Sequence, residues 1–217
     1  MRDCKSAAGS GPTIGVLALQ GDFDKHKVAL EKVGATVCLV RDAKTLQGVD
    51  ALVLPGGEST SLLKLLDEEL RQTLSDRLLS GMPALATCAG LILLATEVSN
   101  PQQFCFGLID IKVSRNGYGR QVDSFVSSDL ALTERGKMLL TNDVSETPNF
   151  RLSGIFIRAP RITAVGSQTD VLACLGHEPV LVRQGNIIGA TFHPELCHEA
   201  SPIHMALLKI ARVNASA

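Results

Sequence analysis

Apolar residues in this chain fall into short unbroken runs in the first half and into more mixed runs in the second. Residues 13–19 (TIGVLAL), 36–40 (TVCLV), 51–54 (ALVL) and 84–87 (ALAT) are four to seven residues long and bounded by polar or turn residues. Runs of that length read as strands buried on both faces. Helical periodicity fills the gaps between them. Residues 24–33 follow the possible caps Asp22 and Asp24 and stop at Gly34, a helix opens near Ser59-Thr60, and another spans 70–79. A helix-like run, 91–95 (LILLA), follows the 84–87 strand. Strand alternating with helix predicts an α/β fold, a single-domain, open, mostly parallel sheet of flavodoxin-like type with helices on both faces. The second half changes character. Residues 109–113, 122–126, 154–157 and 171–174 read as strands with few helices between them. Residues 179–183 and 187–192 flank the turn Gln184-Gly185-Asn186 as a hairpin, and 202–213 close the chain as an amphipathic helix.

The chain is 217 residues long, enough for one full core, with 45% hydrophobic and 20% charged residues. Residues 1–12 (MRDCKSAAGSGP) lack the apolar stretch of a secretory signal and read as a flexible tail, leaving 13–217 as one domain. A net charge of −1 without a basic run gives no electrostatic reason to expect nucleic acid, and no apolar run is long enough for a membrane span. Six scattered cysteines without a Cys-x-x-Cys pair suit reduced thiols in a cytoplasmic setting.

Cys88 stands where the 84–87 strand meets the following helix. That places a thiol at a nucleophile elbow, clear of both elements and near the positive end of a helix. Alone, an apolar-flanked cysteine is more often a buried structural thiol. The context changes the balance, because His193 and Glu195 lie in FHPEL at 192–196, a base and a carboxylate two residues apart. Together the three residue types supply nucleophile, proton carrier and orienting carboxylate. Residues 54–59 (LPGGES) end a strand and open a helix, so the backbone amides of Gly57 and of Ala89 are candidates for an oxyanion hole. Arg115 and Arg158 are single cations near strand ends, able to bind a carboxylate. Cys4, Cys38, Cys105, Cys174 and Cys197 lack such context. His26, His177, His198 and His204 show no metal-ligand spacing and receive no role. No phosphate loop is present, and neither metal nor cofactor is expected.

TCAGLILLA at 87–95, GGEST at 56–60 and FHPEL at 192–196 resemble the class I (triad) glutamine amidotransferases. GVLALQGDF at 15–23, RNGYGRQVDSF at 115–125 and FIRAP at 156–160 look like the branch that forms the glutaminase subunits of pyridoxal 5'-phosphate synthases. The resemblance spans 13–213. It implies hydrolysis of L-glutamine to glutamate and ammonia through a thioester on Cys88, with His193 as base and acid and Glu195 orienting it. It further implies that Gly56, Gly57, Glu58, Arg115, Ile157 and Arg158 contact glutamine, and that a separate synthase subunit receives the ammonia. Two departures stand out. Ala86 occupies a position where the family usually has Gly, and 130–149 match none of its motifs. A subunit serving another acceptor, and a non-catalytic α/β protein with a reactive cysteine, are the alternatives. The RNGYGRQ and FIRAP segments weigh against the first, and the His193–Glu195 pair against the second.

Overall fold

The unbroken apolar runs form the parallel half of one nine-stranded sheet. The computed structural model describes residues 11–119, 123–141, 150–197 and 201–216. β1 (Thr13–Leu17), β2 (Thr36–Val40), β3 (Ala51–Leu54) and β4 (Ala84–Thr87) join β12 (Ile187–Ala190) in the order β2-β1-β3-β4-β12, every pair parallel. β3, β4 and β12 are buried at every residue, so their apolar runs lack alternation. Beyond β12 the sheet continues antiparallel through β11 (Glu178–Gln184), β10 (Asp170–Leu175), β7 (Phe125–Leu132) and β8 (Leu152–Phe156). The expected hairpin is present. β11 and β12 pair Gln184 with Ile187, and Gly185 turns the chain at φ 55°.

Helices cover both faces, as amphipathic connections between parallel strands require. On one face lie α2 (Ala43–Gln47), α3 (Ser59–Leu65), α4 (Glu68–Leu79) and α5 (Ala89–Leu94), around a core that includes Leu52, Leu54, Leu74 and Leu91. A small sheet, β5 (Ala95–Ser99), β6 (Ile109–Ser114) and β9 (Arg161–Val165), closes that side. On the other face α1 (Phe23–Lys32), α6 (Glu134–Leu140) and α7 (Pro202–Ala215) cover a core that includes Ile14, Leu85, Phe156 and Phe192. The Phe125 and Phe156 rings stack at 4.7 Å, and Phe156 meets Phe192 at 5.5 Å, binding the antiparallel arm to the strand that leads to His193.

Several expectations change. The helix after Cys88 stops at Leu94, and Ala95 already begins β5. The unmatched polar segment holds α6, capped by the Thr133 hydroxyl accepting from Gly136 N–H. Part of that segment, 142–149, lies outside the described residues, as do 1–10 of the tail and the first residue of the strand expected at 122–126. Cys88, Cys105 and Cys174 are free thiols. Cys38 is disulfide-bonded, which departs from reduced thiols throughout. Among the described residues no helix is long and apolar enough to cross a membrane.

Candidate active site

The carboxyl ends of β1, β3, β4 and β12 meet at one edge of the sheet, and each delivers a site residue, as open α/β sheets do. β4 delivers Cys88 with φ 46° and ψ −101°, a conformation that costs a residue with a Cβ about 1–3 kcal/mol. Hydrogen bonds pin the turn on both sides. Cys88 N–H donates to Ala190 O at 2.9 Å, and Ile92 N–H donates to Cys88 O at 3.1 Å. Gly90, the second residue of α5, allows the helix to lie against β3, for a Cβ there would collide with Leu54 O. The expected elbow is therefore present, and the thiol faces a cavity of about 220 Å³.

His193 follows β12 and is fixed by its N–H donating to Ile155 O at 2.9 Å. Its Nδ1 lies 2.7 Å from Glu195 Oε1, at the start of a single 3-10 turn, Pro194–Leu196. A carboxylate only accepts, so Nδ1 carries the hydrogen and Nε2 is left for the Cys88 sulfur. Burial opposes a charged ring at His193. The hydrogen bonds to Cys88 and Glu195, with their charges, outweigh it and push the imidazole up to about 10. Gly56 makes this approach possible, since a Cβ there would strike the His193 ring and come within 3.3 Å of Cys88 Cβ.

Opposite the thiol, Glu58 caps α3 by accepting from Thr60 N–H at 3.1 Å and Ser61 N–H at 2.6 Å. Partial burial opposes its ionisation, but these hydrogen bonds prevail and lower the carboxyl to about 2. Arg115, just beyond β6, donates to Glu58 Oε1 and to Thr60 Oγ1, both at 3.1 Å. Ile157 and Arg158 come from the turn after β8, with Ile157 O 4.0 Å from Cys88 Sγ. Arg158 and Asn116 take φ of 44° and 51°, so among the described residues three of the four non-glycine residues with positive φ line this one cavity. Backbone strain gathered at a cleft marks function.

Of the residues singled out in the sequence, Cys88, His193, Gly57, Glu58, Arg115, Ile157 and Arg158 line the cavity together. Glu195 stands behind His193. Gly56 and Ala89 lie beside the cavity without forming its wall, and Ala89 is fully buried at the start of α5. Sequence reasoning missed Gln20 and Asp22. The Gln20 amide braces the Gly57–Glu58 loop, donating to Glu58 O at 3.1 Å and accepting from Glu58 N–H at 3.3 Å. Asp22 makes no side-chain cap for α1 and instead places Oδ2 3.8 Å from His193 Nδ1. Both lie in the GVLALQGDF run at 15–23, at the end of the first strand, and that run was their signal. Asp22, His193 and Glu195 offer three ligand atoms within 4.8 Å of one another, but the His193–Glu195 hydrogen bond already uses two of them.

A cysteine elbow backed by histidine and glutamate on this sheet defines a triad amidotransferase. The chain belongs to the SNO glutamine amidotransferase family, which matches residues 16–211. It is 45% identical over 203 residues to the pyridoxal 5'-phosphate synthase subunit PdxT of Koribacter versatilis, covering 92% of this chain and 95% of that protein. It is 42% identical to PdxT of Thermotoga maritima over 200 residues, covering 92% and 99%. A crystal structure of a glutamine amidotransferase superposes with a TM-score of 0.78 at 40% identity, over 91% of this chain and 98% of that one. The PurLQS structure from Thermotoga maritima shares the fold at a TM-score of 0.62 and 16% identity, over 95% of this chain and 100% of that one.

Proposed function

We propose that this chain is the glutaminase subunit of a pyridoxal 5'-phosphate synthase: it hydrolyses L-glutamine and passes the ammonia to a synthase subunit. The observation that carries the chemistry is the line of groups from Cys88 through His193 to Glu195, 2.7 Å apart at its second link. The family match and the PdxT relatives carry the assignment to that synthase. The carboxylate of Glu58 and the guanidinium of Arg115, side by side in the cavity wall, complement the ammonium and carboxylate of an α-amino acid. A glutamine held at that end extends its carboxamide toward Cys88.

The sulfur then attacks the carboxamide carbon. The amide N–H groups of Gly57 and Ala89 receive the oxyanion, and the His193 imidazolium gives its proton to the departing ammonia. His193, now neutral, takes a proton from water as the water attacks the thioester, which releases glutamate and restores the thiol. Glu195 holds the ring in one tautomer through both steps. Acyl transfer of this kind draws on no metal or cofactor. Residues 13–217 act as one domain in this reading, in the cytoplasm, where a reactive thiol is kept reduced.

Glutamate release, measured with and without the synthase subunit, tests the proposal. Hydrolysis should rise with the partner and fall to background in Cys88→Ala, while partner binding persists. Hydrolysis retained in Cys88→Ala overturns it.

A further inference from the structure

Behind Glu195 lie two fully buried histidines that the mechanism leaves unused, His26 on α1 and His204 on α7. Their rings meet with His26 Nδ1 2.8 Å from His204 Nε2. The other nitrogen of His26, Nε2, points toward the site, 3.1 Å from Thr87 Oγ1 and 3.3 Å from Glu195 Oε2. That contact is less well aligned than the one to His193, and Oε2 has no hydrogen-bond partner of good geometry among the described residues. His26 Nε2 is thus the donor at hand for a buried carboxylate oxygen, whose desolvation without one is costly. A packing role alone would be met by two leucines, without two imidazoles to desolvate.

We propose that His26 is a positioning residue: its Nε2–H holds the outer oxygen of Glu195, and His204 fixes the tautomer of His26. The triad is then the front of a buried chain running His204, His26, Glu195, His193, Cys88. This rests on the reading of the last three as the catalytic groups. The hydrogens follow from that role. A carboxylate only accepts, so neutral His26 carries its hydrogen on Nε2, where the Thr87 hydroxyl oxygen can share it, and its Nδ1 presents a lone pair. His204 must therefore donate from Nε2, which leaves its Nδ1 bare. That atom, in the first turn of α7, and Ser201 Oγ, at the N-cap just before it, are buried without partners among the described residues. Burial, and for His26 also the neighbouring His204 and His193, keeps both rings neutral, so this single arrangement persists. Without His26, Glu195 keeps only its bond to His193 and can swing. The half-buried Asp22 carboxylate, 3.8 Å from His193 Nδ1, then competes for the ring.

The test compares His26→Leu, which removes the donor, with His26→Gln, whose amide N–H can reach the same oxygen. Two rates are read. One is alkylation of Cys88 by iodoacetamide in the isolated chain at neutral pH, followed on the Cys88 peptide. The other is kcat and KM for glutamine with the synthase subunit present. A lost hydrogen bond to a charged group corresponds to about tenfold or more, so His26→Leu should slow alkylation and kcat by that factor, with KM little changed. His26→Gln should recover most of the loss, and in a Glu195→Gln background His26→Leu should add nothing. Rates in His26→Leu within about twofold of the parent, or an effect that multiplies in full on Glu195→Gln, would overturn the proposal. Should the parent chain hydrolyse no glutamine with its partner, the functional reading fails. The alkylation rates still decide the role of His26.

Discussion

Cys88 concentrates the conflict between stability and function in one residue. Its backbone, at φ 46° and ψ −101°, suits glycine, yet the position carries a Cβ because the chemistry needs the sulfur. Strain of this kind is relieved by deleting the Cβ and kept by shortening the side chain. Cys88→Gly should therefore unfold at higher urea than Cys88→Ala, by about 1 kcal/mol, even though glycine gains more entropy on unfolding. The ordinary order, alanine the more stable, would show that the elbow is not strained. The same backbone feature explains why Cys88 was legible from sequence: a buried strand, a small residue on each side of the thiol and an apolar helix leave little choice for the turn. Gln20 was not legible. Its amide braces Glu58 across 38 residues of sequence, and no local pattern records which loop a polar side chain will meet.

Elements were legible in proportion to how far their patterns are local. β2, β3 and β4 match their expected bounds: β3 and β4, buried at every residue, read as uninterrupted apolar runs, and β2, the half-buried edge strand, is apolar from Val37 to Val40. β5 and β9 were invisible because their residues alternate poorly, and because β9 pairs with β6, a strand far back in the sequence. The helix expected through residue 95 ends at Leu94 because Ala95 pairs with Ile109 instead. α5 itself is placed by contact rather than by propensity. All six of its residues are buried, and Gly90 lets its backbone rest on Leu54. Gly90→Ala sets a methyl against a backbone carbonyl that has no rotamer to yield. It should lower unfolding stability by about 1–3 kcal/mol, read by urea denaturation, and depress hydrolysis by shifting Cys88. Ala86 tests the same packing from the strand side. Its partners in β3 and β12 are Leu54 and Gly189, and Leu91 of α5 packs where a Cβ of Gly189 would stand. Ala86 is itself fully buried in that contact between strand and helix.

At the scale of the molecule, one sheet separates two apolar layers, and polar groups are buried mainly where the site reaches into one of them. His26 and His204 lie in the layer of α1 and α7, and this gives the whole chain a pH signature. Burial lowers both from 6.5, His26 far below it and His204 to about 3. Below 6.5 the unfolded chain binds two protons that the folded chain refuses, so acid favours unfolding. Each group contributes about 1.4 kcal/mol per pH unit until its folded pKa is reached. His193 acts in a different window. Raised to about 10, it contributes fully below 6.5 and loses that contribution as pH rises toward 10. Glu58, lowered from 4.5 to about 2, gives up its contribution only as pH falls through that lower range. Between pH 7 and 5 the two buried histidines therefore dominate among these groups. Urea unfolding should report a loss of roughly 2–4 kcal/mol over that interval, and His204→Leu should reduce the slope by about half. A stability that stays flat from pH 7 to 5 would mean that the pair takes up a proton in the folded state. His26 could not then be held as the neutral donor that Glu195 requires.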